Sequence, residues 1–136
     1  KTDYKFDLEK FTNVNGKNGI YVQYSQVRAR KLLENIEIKN NMVNHLNLNN
    51  IDKELLSKLY LFSYFVEQSA LLNEPHHLAN YLYEISNLFN QFYESEKISE
   101  IDELDYLSSK IYITNLFLTT SQNVMLCLGI VPVSKM

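Results

Sequence analysis

Gly19-Ile20-Tyr21-Val22-Gln23-Tyr24-Ser25-Gln26-Val27-Arg28-Ala29-Arg30-Lys31 is the stretch whose periodicity sets the reading of the whole chain. Read as a helix it carries two stripes, because residues three, four and seven apart share a face. Val22, Ser25, Ala29, Leu32 and Ile36 are small or apolar and suit a core. Tyr21, Tyr24, Arg28 and Lys31 form a parallel stripe that sets two phenols beside two cations. Aromatic rings next to basic groups suit unstacked nucleotides, which need a flat surface for the base and a cation for the phosphate. The same pattern describes an amphipathic helix with half-buried tyrosines and a solvated basic edge. The helix alone favours that second reading.

Working outward, this first helix is expected from Gly19 to about Lys39. Residues 1–18 before it are a polar lead-in, with a helical turn near Asp7 to Phe11 and with Phe6, Leu8 and Phe11 available to pin it. An asparagine-rich loop, residues 40–50, follows and carries a solvated His45. Asp52 can then cap a helix opening at Ile51, with Ile51 stapled onto Leu56. Leu55, Leu59, Phe62, Val66 and Ala70 extend its apolar face to about Leu72. The run from Leu59 to Val66 is apolar nearly all round, which fits one deeply buried helix or two helices meeting at a bend near Ser63.

Asn73-Glu74-Pro75-His76-His77 opens the next helix, with proline in the first turn and Asn73 or Glu74 as cap. The paired histidines point about 100° apart on a helix, so one hydrogen-bonded and one solvated side chain is expected rather than a metal site. Leu78, Leu82, Ile85, Phe89 and Phe92 mark a core stripe; Ala79, Tyr83, Ser86, Asn90 and Tyr93 lie beside it, aromatic and polar. The helix should reach about Glu96. After a charged loop, a helix from about Tyr106 to Leu128 is apolar on most sides, as at the centre of a bundle. Gly129 stops it, and residues 129–136 form an extended tail. The expectation is an all-α bundle of about five helices in a single domain, residues 1–136.

Composition agrees. With 3 glycines and 2 prolines in 136 residues there is too little turn punctuation for many short strands. The lone Cys127 excludes an internal disulfide, fits a reducing compartment and reads as core. A net charge of −3 excludes a polybasic nucleic-acid binder, so any RNA contact must come from a local patch. The apolar run from Val124 to Val133 is interrupted by Gly129 and Pro132 and is far short of the ~20 residues of a membrane span. The absence of a leader-like N-terminus and of an initiator methionine points to a cytoplasmic protein and to a fragment of a longer chain.

Catalytic signatures are missing from the sequence. Asn15-Gly16-Lys17-Asn18-Gly19 lacks the spacing and hydroxyl residue of a phosphate-binding loop, no Cys/His cluster has zinc spacing, and nothing resembles a nucleophile elbow. The carboxylates read as solvated on exposed helix faces. The segment itself is expected to be non-catalytic, with no cofactor or metal of its own.

Four pieces together resemble one family. Tyr21-Val22-Gln23-Tyr24 with Ser25-Gln26-Val27-Arg28 is similar to the tyrosine-x-glutamine-tyrosine helix opening the C-terminal domain of arginyl-tRNA synthetases. Glu74-Pro75-His76-His77-Leu78-Ala79-Asn80-Tyr81-Leu82-Tyr83-Glu84 resembles its second signature. Phe89-Asn90-Gln91-Phe92-Tyr93 follows at the expected distance, and Leu128 to Met136 looks like the family's carboxyl terminus.

The resemblance implies a class I anticodon-binding helical bundle that grips the tRNA for arginine, with Tyr21, Tyr24 and Tyr93 receiving bases and Met136 closing the site. Arg28 matches too, with Arg30 and Lys31 as further phosphate contacts. Asn90 stands between a base-reading role and that of a plain polar surface residue. The family's ATP- and magnesium-dependent ligase chemistry would lie in a separate catalytic domain, the other expected partner; neither membrane nor DNA is expected. Two positions depart from the family: Gln26, often histidine, and Ser63, often proline, which implies a softer bend. The alternatives are the related domain of another class I synthetase and a helical protein–protein module.

Overall fold

The computed structural model describes residues 19–36 and 46–133. Within them lie five α-helices, α1 (Gly19–Asn35), α2 (Asn50–Leu59), α3 (Phe62–Leu72), α4 (His76–Ser95) and α5 (Leu104–Cys127), with one 3-10 turn at Ile98–Glu100. No strand occurs among the described residues. The all-α bundle expected from the sequence is the fold.

α4 is the hub, packing on α1, α2, α3 and α5. Its stripe Leu78, Leu82, Ile85, Phe89 and Phe92 is buried as read. Phe89 stacks on Phe117 of α5, ring centres 4.1 Å apart and 5° from parallel. Truncating a ring as buried as this costs about 3–5 kcal/mol through lost transfer energy and the cavity left behind. Val22, Ala29 and Leu32 seal α1 onto the same core.

The apolar run after Leu55 resolves into two helices. The chain breaks at Tyr60 and Leu61, just ahead of the bend expected at Ser63. Tyr81 supports the break: fully buried and stacked on Phe65 at 4.5 Å, it shares its hydroxyl between the carbonyls of Lys58 (3.1 Å) and Leu59 (3.2 Å). Those carbonyls lie at the end of α2, where the regular helical partner is missing, and the one of Lys58 also accepts from the Leu61 N–H at 3.2 Å. Burial pushes the Tyr81 phenol well above its ordinary pKa, so it remains a donor. Ser63 is the second residue of α3, in the first turn, where an N–H is not needed for the helix. α3 packs mainly on α4, and Tyr60, Leu61, Tyr64, Leu71 and Leu72 are exposed. The alternative of one deeply buried helix is therefore excluded.

Three local expectations are corrected. Asn49, not Asp52, caps α2: the Asn49 side chain accepts from the Asp52 N–H at 2.9 Å and the Asp52 carboxylate accepts from the Asn49 N–H at 3.0 Å, a capping box. Asn73 does not cap α4; it ends α3 in the left-handed conformation, φ 54°, and α4 has no side-chain cap. Cys127 is exposed rather than core, because Val124 and Met125 take the inward face of the last turn of α5. The stop at Gly129 holds, with φ +71°.

A fourth correction concerns charge. Lys110 lies on the apolar α5 yet is fully buried, 2.6 Å from Asp52 and 2.5 Å from Glu96. Tyr106 donates to Glu96 at 2.6 Å and Asn49 donates to Tyr106 at 3.0 Å. Asp52, expected only as a cap, and Glu96, expected to be solvated, thus tie α2, the end of α4 and α5 together. Burial alone would raise the Glu96 pKa, but hydrogen bonds from Lys110 and Tyr106 outweigh it and hold the carboxyl below its ordinary value. Burial would likewise lower the pKa of Lys110, and the bonds to Asp52 and Glu96 outweigh it and raise it.

Candidate nucleic-acid interface

The aromatic-polar stripes of α1 and α4 face each other. Tyr21 lies against Tyr83, ring centres 5.4 Å apart, and donates its hydroxyl to the Asn87 side chain at 3.2 Å. Ser25 donates to the Tyr21 carbonyl at 2.9 Å and accepts from the Asn90 amide at 2.9 Å. Ser86 on the same stripe is fully buried. The seam is polar because two helices meet through hydroxyls and amides there, each buried group having a partner.

At the end of the seam Arg28 is held from four sides. Its guanidinium carbon lies 4.6 Å from the centre of the Tyr24 ring and 5.1 Å from that of Tyr93. Its Nη1 donates to Asn90 Oδ1 at 3.2 Å and to Glu94 Oε1 at 2.6 Å. Each ring contact is worth about 0.5–2 kcal/mol depending on desolvation. Partial burial works against the charge, but the Glu94 and Tyr24 interactions prevail and raise its pKa, so Arg28 is cationic throughout. A groove of about 360 Å³, bordered by Leu32, Tyr93, Glu94, Lys97 and Ile98, opens beside Tyr93.

The structure therefore gathers Tyr24, Arg28, Asn90 and Tyr93 into one cluster, with Tyr21 farther along the same seam. Asn90 is buried rather than a polar surface residue, and both ends of its amide are engaged within the fold. Lys31 is exposed. Met136, the lead-in apolar residues Phe6, Leu8 and Phe11, and His45 lie outside the described residues.

Residues 22–136 match the model of the DALR anticodon binding domain. The chain belongs to the DALR anticodon-binding domain family. It is 30% identical over 137 residues to the arginine–tRNA ligase of Alkaliphilus oremlandii, covering 98% of this chain and 23% of that protein. To the arginine–tRNA ligase of Francisella tularensis subsp. novicida it is 33% identical over 117 residues, 80% of this chain and 20% of the other. Thermus thermophilus arginyl-tRNA synthetase shares the fold, with a TM-score of 0.78 at 21% identity over 91% of this chain and 22% of that one. This DALR chain thus spans about a quarter or less of the length of these relatives.

Two contacts of this DALR domain escaped sequence reasoning. Gln23 donates to the Val131 carbonyl at 3.2 Å and accepts from the Val133 N–H at 2.9 Å, so one side chain grips the tail twice. Arg30, seven residues on and so on the same face, donates to the Val133 carbonyl. It is occupied with the tail, and the tail up to Val133 lies on the α1 face next to the aromatic stripe, not on it. No local pattern in a sequence announces which side chain holds a distant extended segment. Gln26 is fully buried and donates to Ser121 Oγ at 3.1 Å and Met125 Sδ at 2.9 Å.

At the far end of α4, Glu74, His76 and His77 bring ligand-capable atoms within 4.8 Å of one another. The two histidine rings are 4.1 Å apart rather than divergent. A hydrogen bond between His77 Nε2 and Glu74, at 2.9 Å, accounts for the approach of those two groups, and His76 is exposed. No helix of the described residues is long and apolar enough to cross a membrane.

Proposed function

We propose that this domain recognises the anticodon loop of an arginine-accepting tRNA, as the anticodon-binding part of an arginine–tRNA ligase. The observation that supports the reading best is the convergence of Tyr24, Arg28 and Tyr93 at the edge of the α1–α4 seam. Both rings are half-buried, each with the Arg28 guanidinium against it, and so keep part of their surface in solvent. A base stacked on such a ring contributes about 1–3 kcal/mol. The groove beside Tyr93 offers room for a splayed-out base. Arg28 supplies positive charge without reading sequence. Asn90 acts through Arg28 and Ser25, fixing the cluster, and Tyr21 fixes the neighbouring part of the seam. Met136 closes the site in this reading.

With a net charge of −3 the domain gains little from long-range attraction. Shape and stacking carry the contact, and the rest of the affinity falls to a catalytic domain acting on the same tRNA in the cytoplasm. Arginine attachment, with its ATP and magnesium, belongs to that domain in this reading, since the present sequence has no phosphate-cradling loop. Filter binding tests the proposal. Arginine tRNA should bind more tightly than the same tRNA with its second anticodon base changed; equal binding of the two would overturn it.

A further inference from the structure

Arg28 makes two polar contacts of different character. Asn90 is buried and anchored to Ser25, so its hold on the guanidinium belongs to the fold. Glu94, one turn further along α4, reaches the same Nη1 from a side chain that is 62% exposed, against 23% for Arg28. We propose that Glu94 is a built-in counter-ion of the RNA patch, which an RNA phosphate must replace at the Arg28 guanidinium. Glu94 thereby limits the patch's affinity and its response to salt. This inference rests on the anticodon reading above.

The exchange is physically easy. An exposed ion pair contributes little to stability, so the carboxylate can turn into water at small cost. The two rings and Asn90 keep the guanidinium oriented while it does so. A phosphate then meets the planar fork with two charged oxygens, a stronger match than one carboxylate oxygen on one nitrogen. Glu94 stays tethered one short side chain away and repels the incoming anion. The wild-type patch accordingly binds as though it carried one positive charge fewer than its residues supply.

The test compares binding of a synthetic arginine-tRNA anticodon stem-loop to the wild-type chain, Glu94→Gln, Glu94→Asp and Glu67→Gln, by fluorescence anisotropy across a salt series. Glu67 is exposed on α3, which packs mainly on α4, and controls for a bare change of net charge. Glu94→Gln should tighten binding about fivefold at low salt. It should also steepen the slope of log affinity against log salt by about 0.7. Glu94→Asp should behave as wild type, and Glu67→Gln should change affinity by less than about twofold. Binding by Glu94→Gln that is weaker than wild type, or no tighter than that of Glu67→Gln, overturns the counter-ion role; Glu94 would then merely position Arg28. Loss of preference for the arginine loop over one with a changed second base overturns the anticodon reading instead, whatever the slopes. Absence of binding by every variant at low salt overturns both.

Discussion

The Lys110 ammonium lies 2.6 Å from the Asp52 carboxylate, and neither side chain reaches solvent. Desolvating two charges is expensive, and the pair survives only because its remaining groups are satisfied by Glu96, Tyr106 and the Asn49 capping box. Lys110→Met would leave two carboxylates facing each other without a cation. The expected loss is about 3–5 kcal/mol, read as a lower midpoint in guanidinium unfolding at unchanged slope. A loss under about 1 kcal/mol would mean that the cluster relaxes open to water.

The same cluster sets a pH window. Glu96 titrates below its ordinary value in the folded chain, so its contribution is present above about pH 4.5 and is lost as pH falls through the depressed value. Lys110 titrates above its ordinary value, so its contribution is complete below about pH 10.5 and is lost as pH rises through the elevated one. Thermal midpoints should therefore form a plateau between these limits. Glu96→Gln should lower the plateau and flatten its acid side; an acid limb that the substitution leaves unchanged would place the sensitivity elsewhere.

Gln26 carries a defect. Its Oε1 is buried and has no hydrogen-bond partner among the described residues, although its Nε2 is bonded. An orphaned carbonyl of this kind costs about 1–3 kcal/mol. Gln26→Met keeps the volume and removes the orphan, while Ser121 retains its own bond to the Leu118 carbonyl at 3.1 Å. A gain of about 1 kcal/mol, or about 4 °C in Tm, is expected by calorimetry. A drop would show that the amide donors outweigh the orphan.

The helices and their apolar faces were legible because period 3.6 is written locally: Leu78 to Phe92 needed no partner to be read as core. The cluster around Arg28 was half legible. Tyr24 and Tyr93 stood out as aromatics on polar stripes, but only packing of α1 on α4 reveals that Arg28 sits between them and that Asn90 faces inward. Lys110 was invisible for a different reason. A lysine on an apolar helix reads the same whether it reaches solvent or a buried carboxylate, and the capping box that delivers Asp52 begins in a loop. Cys127 lies in an apolar run, which suggests burial, yet it is exposed because the last turn of α5 buries only the side that carries Val124 and Met125.

The two hydrogen bonds between Gln23 and the tail make a local prediction. Gln23→Ala removes the acceptor of the Val133 N–H and the donor to the Val131 carbonyl together. Hydrogen exchange over residues 129–133 should accelerate, while the helical circular-dichroism signal stays constant. Global stability should fall by less than about 1 kcal/mol, since these bonds are exposed. Unchanged exchange would mean that Arg30 alone holds the tail through the Val133 carbonyl.

Tyr93 bears the sharpest test of the site, because its ring is both neighbour of the core and cover of Arg28. It lies 6.3 Å from Phe89 and 5.1 Å from the Arg28 guanidinium carbon, centre to centre and centre to carbon. Tyr93→Phe keeps the face on which a base would stack, and should bind the arginine stem-loop nearly as wild type does. Tyr93→Ala removes the face and should lose about 1–3 kcal/mol of RNA binding, as should Tyr24→Ala. Neither alanine variant should abolish the helical signal, because the buried stripe of α4 is carried by Phe89 and Phe92. If binding and helix content fall together in both, the rings serve the fold. If binding falls alone, and the phenylalanine variant restores it, the ring face is what the RNA uses.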